Sequence, residues 1–231
     1  MMRENYVSRK PSLLRAYDKS IKRVRPTLVA RFGQEQADSI IRESGQEYER
    51  LVPEIPYIGE RSPMLYFLLP TSRHLAVYRI LQRHGRPLEE AGQIVYEMGE
   101  AEIRAVPSVA RRTIGYLWFS PLFKRRLKRR AAESRARQYP GGYVIDYVEG
   151  DGQEFDYGVD YIECASCKFL KAQGVPELTP YGCAVDKVAS EMLGWGLSRT
   201  MTLAEGYDRC DFRFKKGGMT CVPLPPSLKY R

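Results

Sequence analysis

The apolar positions of this chain keep a helical period up to residue 138 and change it at residue 139. Leu13, Leu14, Tyr17, Ile21, Val24 and Leu28 recur at helical spacing behind Pro11 and Ser12, and Pro26 is expected to end or kink that helix. After Gly33 a second stripe, Ala37, Ile40, Ile41, Tyr48 and Leu51, is closed by Pro53 and Pro56. Ser62-Pro63 is a helix start, with Ser as N-cap and Pro in the first turn. The stripe behind it, expected to break at Pro70, runs through Leu75, Tyr78 and Leu81 to Gly85. Another helix starts at Pro87 with Leu88, Ala91, Ile94, Val95 and Met98, and one more helical segment is predicted from about Ser108 to Gln138.

At Tyr139-Pro140-Gly141-Gly142 the period becomes two. Tyr143, Ile145 and Tyr147 alternate with Val144, Asp146 and Val148, and Phe155, Tyr157, Val159 and Tyr161 alternate on the return from the turn Glu149-Gly150-Asp151-Gly152, which predicts a β-hairpin. Two short helices follow. One runs from Cys164 to Gln173 and stops at Gly174; the next has Thr179 as N-cap, Pro180 in its first turn, and the stripe Leu178, Tyr181, Val185, Val188 and Met192. Gly194-Trp195-Gly196 breaks it, and Leu197 to Leu203 with Arg209 to Phe214 read as a second hairpin. The implied fold class is α+β: a helical N-terminal region, 1–138, packed with a C-terminal antiparallel ββααββ unit, 139–231, the two read as one integrated domain.

Composition changes this picture little. A chain of 231 residues that is 43% hydrophobic and 28% charged has the make-up of an ordinary globular protein. The net charge of +9 suggests nucleic acid until it is located: ten basic residues and one acid, Glu133, stand between Arg111 and Arg137, and the rest of the chain is neutral. No RNP-like strand and no finger spacing with paired His accompanies this cluster, so a solvated helical face is expected rather than a nucleic-acid partner. No apolar run approaches the ~20 residues of a membrane span. Residues 1–6 carry no apolar run behind their charges, so no secretory leader is expected, and the expected location is cytoplasmic. There, cysteines stay free, hold metal or act as nucleophiles.

All five cysteines lie in the last third of the chain, and four of them fall in the ββααββ unit in an order that helical and strand phases can bring together. Cys164 and Cys167 are three apart on one predicted helix, Cys183 and Asp186 three apart on the next, and Cys210 shares a strand side with Phe212 and Phe214. These phases predict one pocket between sheet and helices that holds Cys164, Cys183 and Cys210 near Asp186. Cys221 lies in a Pro-rich tail.

The same stretch carries Glu163-Cys164, Lys168, Gly174, Glu177-Leu178, Pro180, Cys183 and Asp186, then Thr202-Leu203-Ala204, Gly206 and Cys210-Asp211-Phe212. In these residues it resembles the L-2-amino-thiazoline-4-carboxylic acid hydrolase family, over about ninety residues from Tyr139 onward, with the helical part alike in character. The resemblance implies a small-molecule substrate and hydrolytic opening of a cyclic 2-aminothiazoline carboxylate to a carbamoyl-cysteine. That chemistry needs attack on an amidine-like carbon, a proton for the leaving atom and an anchor for the carboxylate. Cys183 or Cys164, each at a predicted helix start, is a candidate nucleophile, with Cys210 beside them. Asp186 or Glu163 is placed to move the proton, and Arg199, assisted by Thr202, to hold the carboxylate.

Two other readings use the same residues. Cys164, Cys167, Cys183 and Cys210 together make a four-thiolate set suited to zinc or an iron–sulfur cluster. A non-catalytic sensor or scaffold module would need only a binding pocket between sheet and helices. His74 and His84, ten apart, form no helical pair and read as ordinary helix residues, although His74 could reach the pocket from the other region.

Overall fold

The computed structural model describes residues 6–229. Met1–Asn5, most of the stretch read for a leader, lie outside the described residues. Among the described residues there are eight α-helices and one four-stranded sheet. The helices of the first region are α1 (Lys10–Phe32), α2 (Gln34–Leu51), α3 (Leu65–Arg83), α4 (Leu88–Arg104), α5 (Ser108–Trp118) and α6 (Pro121–Ser134). The second region follows as β1 (Val144–Glu149), β2 (Tyr157–Glu163), α7 (Ala165–Ala172), α8 (Thr179–Leu193), β3 (Leu197–Ser198) and β4 (Cys210–Phe214). No helix among them is long and apolar enough to cross a membrane.

Neither proline ends its helix. Pro26 lies inside α1 and Pro70 inside α3. A proline leaves the carbonyl four residues earlier unpaired; here those residues are Lys22 and Tyr66, both exposed, so water can satisfy what the ring cannot. Packing of the opposite face, Val24 and Leu28 in α1 and Leu68 and Leu75 in α3, holds each helix through the lesion. The basic segment differs in the other sense. It is two helices, because Ser120 caps α6 by accepting the Phe123 N–H at 3.2 Å and Pro121 takes its first turn.

Helices α1 to α4 pack on one another, and α4 packs on α8. That last contact requires glycine: a Cβ on Gly92 would lie 2.5 Å from the Tyr181 ring, and one on Gly99 2.5 Å from Val185. The main core runs unbroken from Tyr6 through these helices into Phe169, Leu170, Leu178, Tyr181 and Ala184 of the second region. The helix that carries Cys183 and Asp186 is therefore clamped on the first region.

The sheet is antiparallel in the order β1-β2-β4-β3. Its pairing sets three rows on the helix-covered face: Tyr157 beside Phe214 and Leu197, then Tyr147, Val159 and Phe212, then Ile145, Tyr161 and Cys210. The first row meets Trp118, Trp195 and Phe123 in a second apolar cluster, with Trp118 and Trp195 stacked at 4.3 Å. The last row opens on the thiols. The second hairpin is shorter than its alternation predicts, since β3 ends at Ser198. Beyond it the chain turns its N–H groups to side chains: Thr200 and Met201 donate to Asp211, and Leu203 donates to the Cys210 sulfur.

Candidate active site

Cys164 stands where β2 passes into α7. It is the N-cap residue of that helix, with extended backbone (φ −121°, ψ 118°). An N-cap side chain lies over the first helical turn, where free N–H groups and the helix dipole favour a negative charge. Its thiol is held below the ordinary value, first by a hydrogen bond from the Cys167 thiol and then, against the opposing effect of burial, by the N–H groups of Cys167 and Ser166. Neither N–H reaches full capping-bond geometry, so the cap is electrostatic rather than a formed bond. Cys167, which gives the proton to this pair, is pushed up by the same hydrogen bond.

The other two thiols behave oppositely. Burial pushes Cys183 well up, and the nearby Arg199 offsets this only in part. Burial raises Cys210 to about 11, and its sulfur accepts the Leu203 N–H at 3.2 Å. Cys164, Cys183 and Cys210 lie near enough to act electrostatically on one another and on Asp186. Cys164, Cys167 and Cys183 are half-buried, so the cluster is within reach of solvent, while Cys210 is buried and Cys221 exposed.

Asp186 and Arg199 form the polar side of the cluster. Arg199 Nη1 donates to Asp186 Oδ2 at 2.6 Å, Nη2 donates to the Cys183 carbonyl at 3.4 Å, and the guanidinium lies 5.2 Å from the Phe212 ring centre. Arg199 is 2% exposed, far from the surface charge a loop arginine suggests, and its Nε has no partner. Burial works against its charge, but Asp186 and the thiols outweigh it and keep the guanidinium protonated. Burial raises Asp186 above the usual carboxylate value, with Arg199 opposing.

Two predicted residues stand aside from this cluster. Glu163 is ion-paired to Lys168 and to Arg137, and the Lys168 hydrogen bond keeps its carboxyl below the ordinary value, so it is poorly suited to carry a proton. Thr202 caps a short 3₁₀ turn, accepting the Glu205 N–H and donating to the Glu205 carboxylate. The four-thiolate metal set is not assembled: among the described residues, no three His, Cys, Asp or Glu side chains are grouped to hold a metal ion. The reason is local. Cys167 turns its thiol to Cys164, and Cys210 takes the Leu203 N–H. His74 does not reach the pocket; it is buried 3.9 Å from Glu102 with its pKa lowered to about 4 by burial, and His84 pairs with Glu43.

Three residues gain roles here that the sequence pattern does not give them. Tyr161 faces Asp186, Cys164 and Cys210, and Tyr143 faces Cys164 and donates to or accepts from Ser166 at 2.9 Å; burial raises both phenols. Their alternation on the strands, with Tyr161 three residues before Cys164, was the available signal. The third is Asp211, whose carboxylate accepts from Thr200 N at 2.9 Å, Thr200 Oγ1 at 2.7 Å and Met201 N at 2.6 Å. Burial works to raise Asp211, but these donors prevail and hold it below 3.8. A lowered carboxyl stabilises the fold above its unfolded value and loses that contribution as pH falls through the folded one. Asp211→Ala should therefore cost about 1–3 kcal/mol at neutral pH by leaving buried N–H groups unpaired. In urea titrations the gap to the unaltered protein should narrow once pH drops below 3.8.

Fold and site together define an α+β protein with a thiol, carboxylate and guanidinium gathered at one end of a helix-covered sheet. The family model of L-2-amino-thiazoline-4-carboxylic acid hydrolase matches residues 71–214, and the chain belongs to that family. The match begins inside α3 and ends with β4, so it reaches well upstream of Tyr139, into the helices that clamp α8, and includes every member of the cluster. Comparison with curated proteins and with solved structures returns no match.

Proposed function

We propose that the chain is a cytoplasmic hydrolase that opens the ring of L-2-amino-thiazoline-4-carboxylate or a close analogue, with Cys164 as nucleophile. The observation that carries this reading is the lowered Cys164 thiol at the α7 N-terminus, beside the Asp186–Arg199 pair and inside the residues that match the family. Cys183 is the weaker candidate, because burial keeps its proton on.

In this mechanism the Cys164 thiolate attacks the ring carbon that bears the exocyclic nitrogen. The bond from that carbon to ring sulfur breaks, and the sulfur leaves as a thiol with a proton from Asp186, whose raised carboxyl suits proton transfer. Water, deprotonated by the same carboxylate, then attacks the carbon and displaces Cys164, giving the carbamoyl-cysteine. Arg199 aims Asp186, and its unpartnered Nε is the donor for the substrate carboxylate. The cytosol keeps the thiol reduced.

The test is direct incubation of the protein with the thiazoline carboxylate, following new thiol colorimetrically and N-carbamoyl-cysteine by mass spectrometry. Stoichiometric product with regenerated enzyme is expected; no consumption by folded, fully reduced protein would overturn the reading. Neutralising Arg125, Arg126, Arg129 and Arg130 together should leave turnover unchanged within about twofold. All four are exposed, whereas Lys124 and Lys128 of the same helix lie over Tyr157 and Tyr147.

A further inference from the structure

We infer that Cys164 and Cys167 are a peroxide-oxidisable dithiol, in which Cys164 takes the oxidant and Cys167 closes the disulfide. The pair occupies the N-cap and the third helical position of α7. At this spacing the capping side chain lies over the first helical turn that carries its partner, with the Cys167 N–H acting on the Cys164 sulfur. Both residues are half-buried with free thiols, and each thiol is the leading influence on the ionisation of the other.

Each half of the pair has its own suitability. Ease of ionisation and solvent access decide which cysteine meets a peroxide first; Cys164 is half-buried and its thiol is held below the ordinary value. The thiolate attacks one peroxide oxygen, the O–O bond breaks, and the released hydroxide leaves as water after taking a proton; Cys164 becomes a sulfenic acid. Its sulfur then no longer holds the Cys167 proton, which removes the leading cause that keeps Cys167 un-ionised. Cys167 attacks the sulfenic sulfur, a second water departs, and the disulfide forms; two thiols and one peroxide give one disulfide and two waters. Cys183 and Cys210 are poorer partners. Burial keeps both protonated, they stand on separate elements, and Cys210 is tied to the Leu203 N–H.

The bond itself is independent of the catalytic proposal, whereas its effect on turnover rests on it. No Lys or Arg lies between Gln138 and Lys168, so trypsin leaves both cysteines on one peptide. After one equivalent of hydrogen peroxide, alkylation and digestion, that peptide should be two hydrogens lighter and unalkylated, and dithiothreitol should restore both alkylation sites. Thiazoline turnover should fall in proportion and return with reductant. With a second equivalent of peroxide, Cys167→Ser should instead let Cys164 pass from the sulfenic to the sulfinic acid, with no recovery. A disulfide that forms while turnover persists would refute the catalytic role of Cys164 and leave the dithiol intact. A peptide that stays doubly alkylated, or Cys164 joined to Cys183 or Cys210, would overturn the inference.

Discussion

Cys164→Ser should lower kcat by ~10³-fold or more, since a hydroxyl at the same place is scarcely ionised at neutral pH and removing a nucleophile acts on that scale. The exchange is nearly isosteric at a half-buried site, so the fold should persist. What makes this position sensitive is the conjunction that lowers the thiol: the Cys167 hydrogen bond and the first turn of α7, together stronger than burial. Cys183→Ser should cost far less, because burial already holds that thiol protonated. Steady-state kinetics of the two variants on the thiazoline carboxylate separates them. Equal losses would place both sulfurs in the chemistry, and a loss confined to Cys183→Ser would transfer the nucleophile to α8.

Asp186→Asn should lower kcat by ~10²–10⁴-fold, the usual worth of a positioned proton carrier. It keeps an acceptor for Arg199 Nη1 but leaves the buried guanidinium without its countercharge. At neutral pH stability should change little, because removing the Asp186 charge relieves the burial that raises it while Arg199 loses its countercharge. The pH dependence has a definite sign. A raised carboxyl adds stability fully below 3.8 and loses it as pH rises through the folded value, so this fall should be absent from the Asn variant. Urea denaturation across that range reads it. A KM increase with unchanged kcat would instead make Asp186 a binding residue.

The ββααββ order was legible because its signals are local: alternation in Tyr143–Val148 and Phe155–Tyr161, and Gly174 and Gly194 in left-handed conformation after the helices. The grouping of Cys164, Cys183, Cys210 and Asp186 was legible for a related reason. Helix and strand phase fix which face a residue occupies once the elements are right. The fates of Pro26 and Pro70 depend on whether the freed carbonyl meets water, which is a tertiary fact. The short β3 was hidden because Asp211 and Cys210 compete for the backbone N–H groups of the next residues. The charge state of each thiol was hidden too. Cys164 and Cys183 both sit near helix starts, and only packing shows that one gains a hydrogen-bonded partner while the other gains only burial.

Cys164 is expected to be the most readily ionised thiol of the cluster. Iodoacetamide alkylation of the reduced protein over a pH series, each cysteine assigned by tandem mass spectrometry, tests it most directly. Cys164 should reach its half-maximal rate at a pH below the ordinary thiol value of 9.0, ahead of Cys183 and Cys210 and before Cys167 reacts at all. Alkylation of Cys183 at lower pH than Cys164, or no reaction of Cys164 until above 9.0, would contradict it.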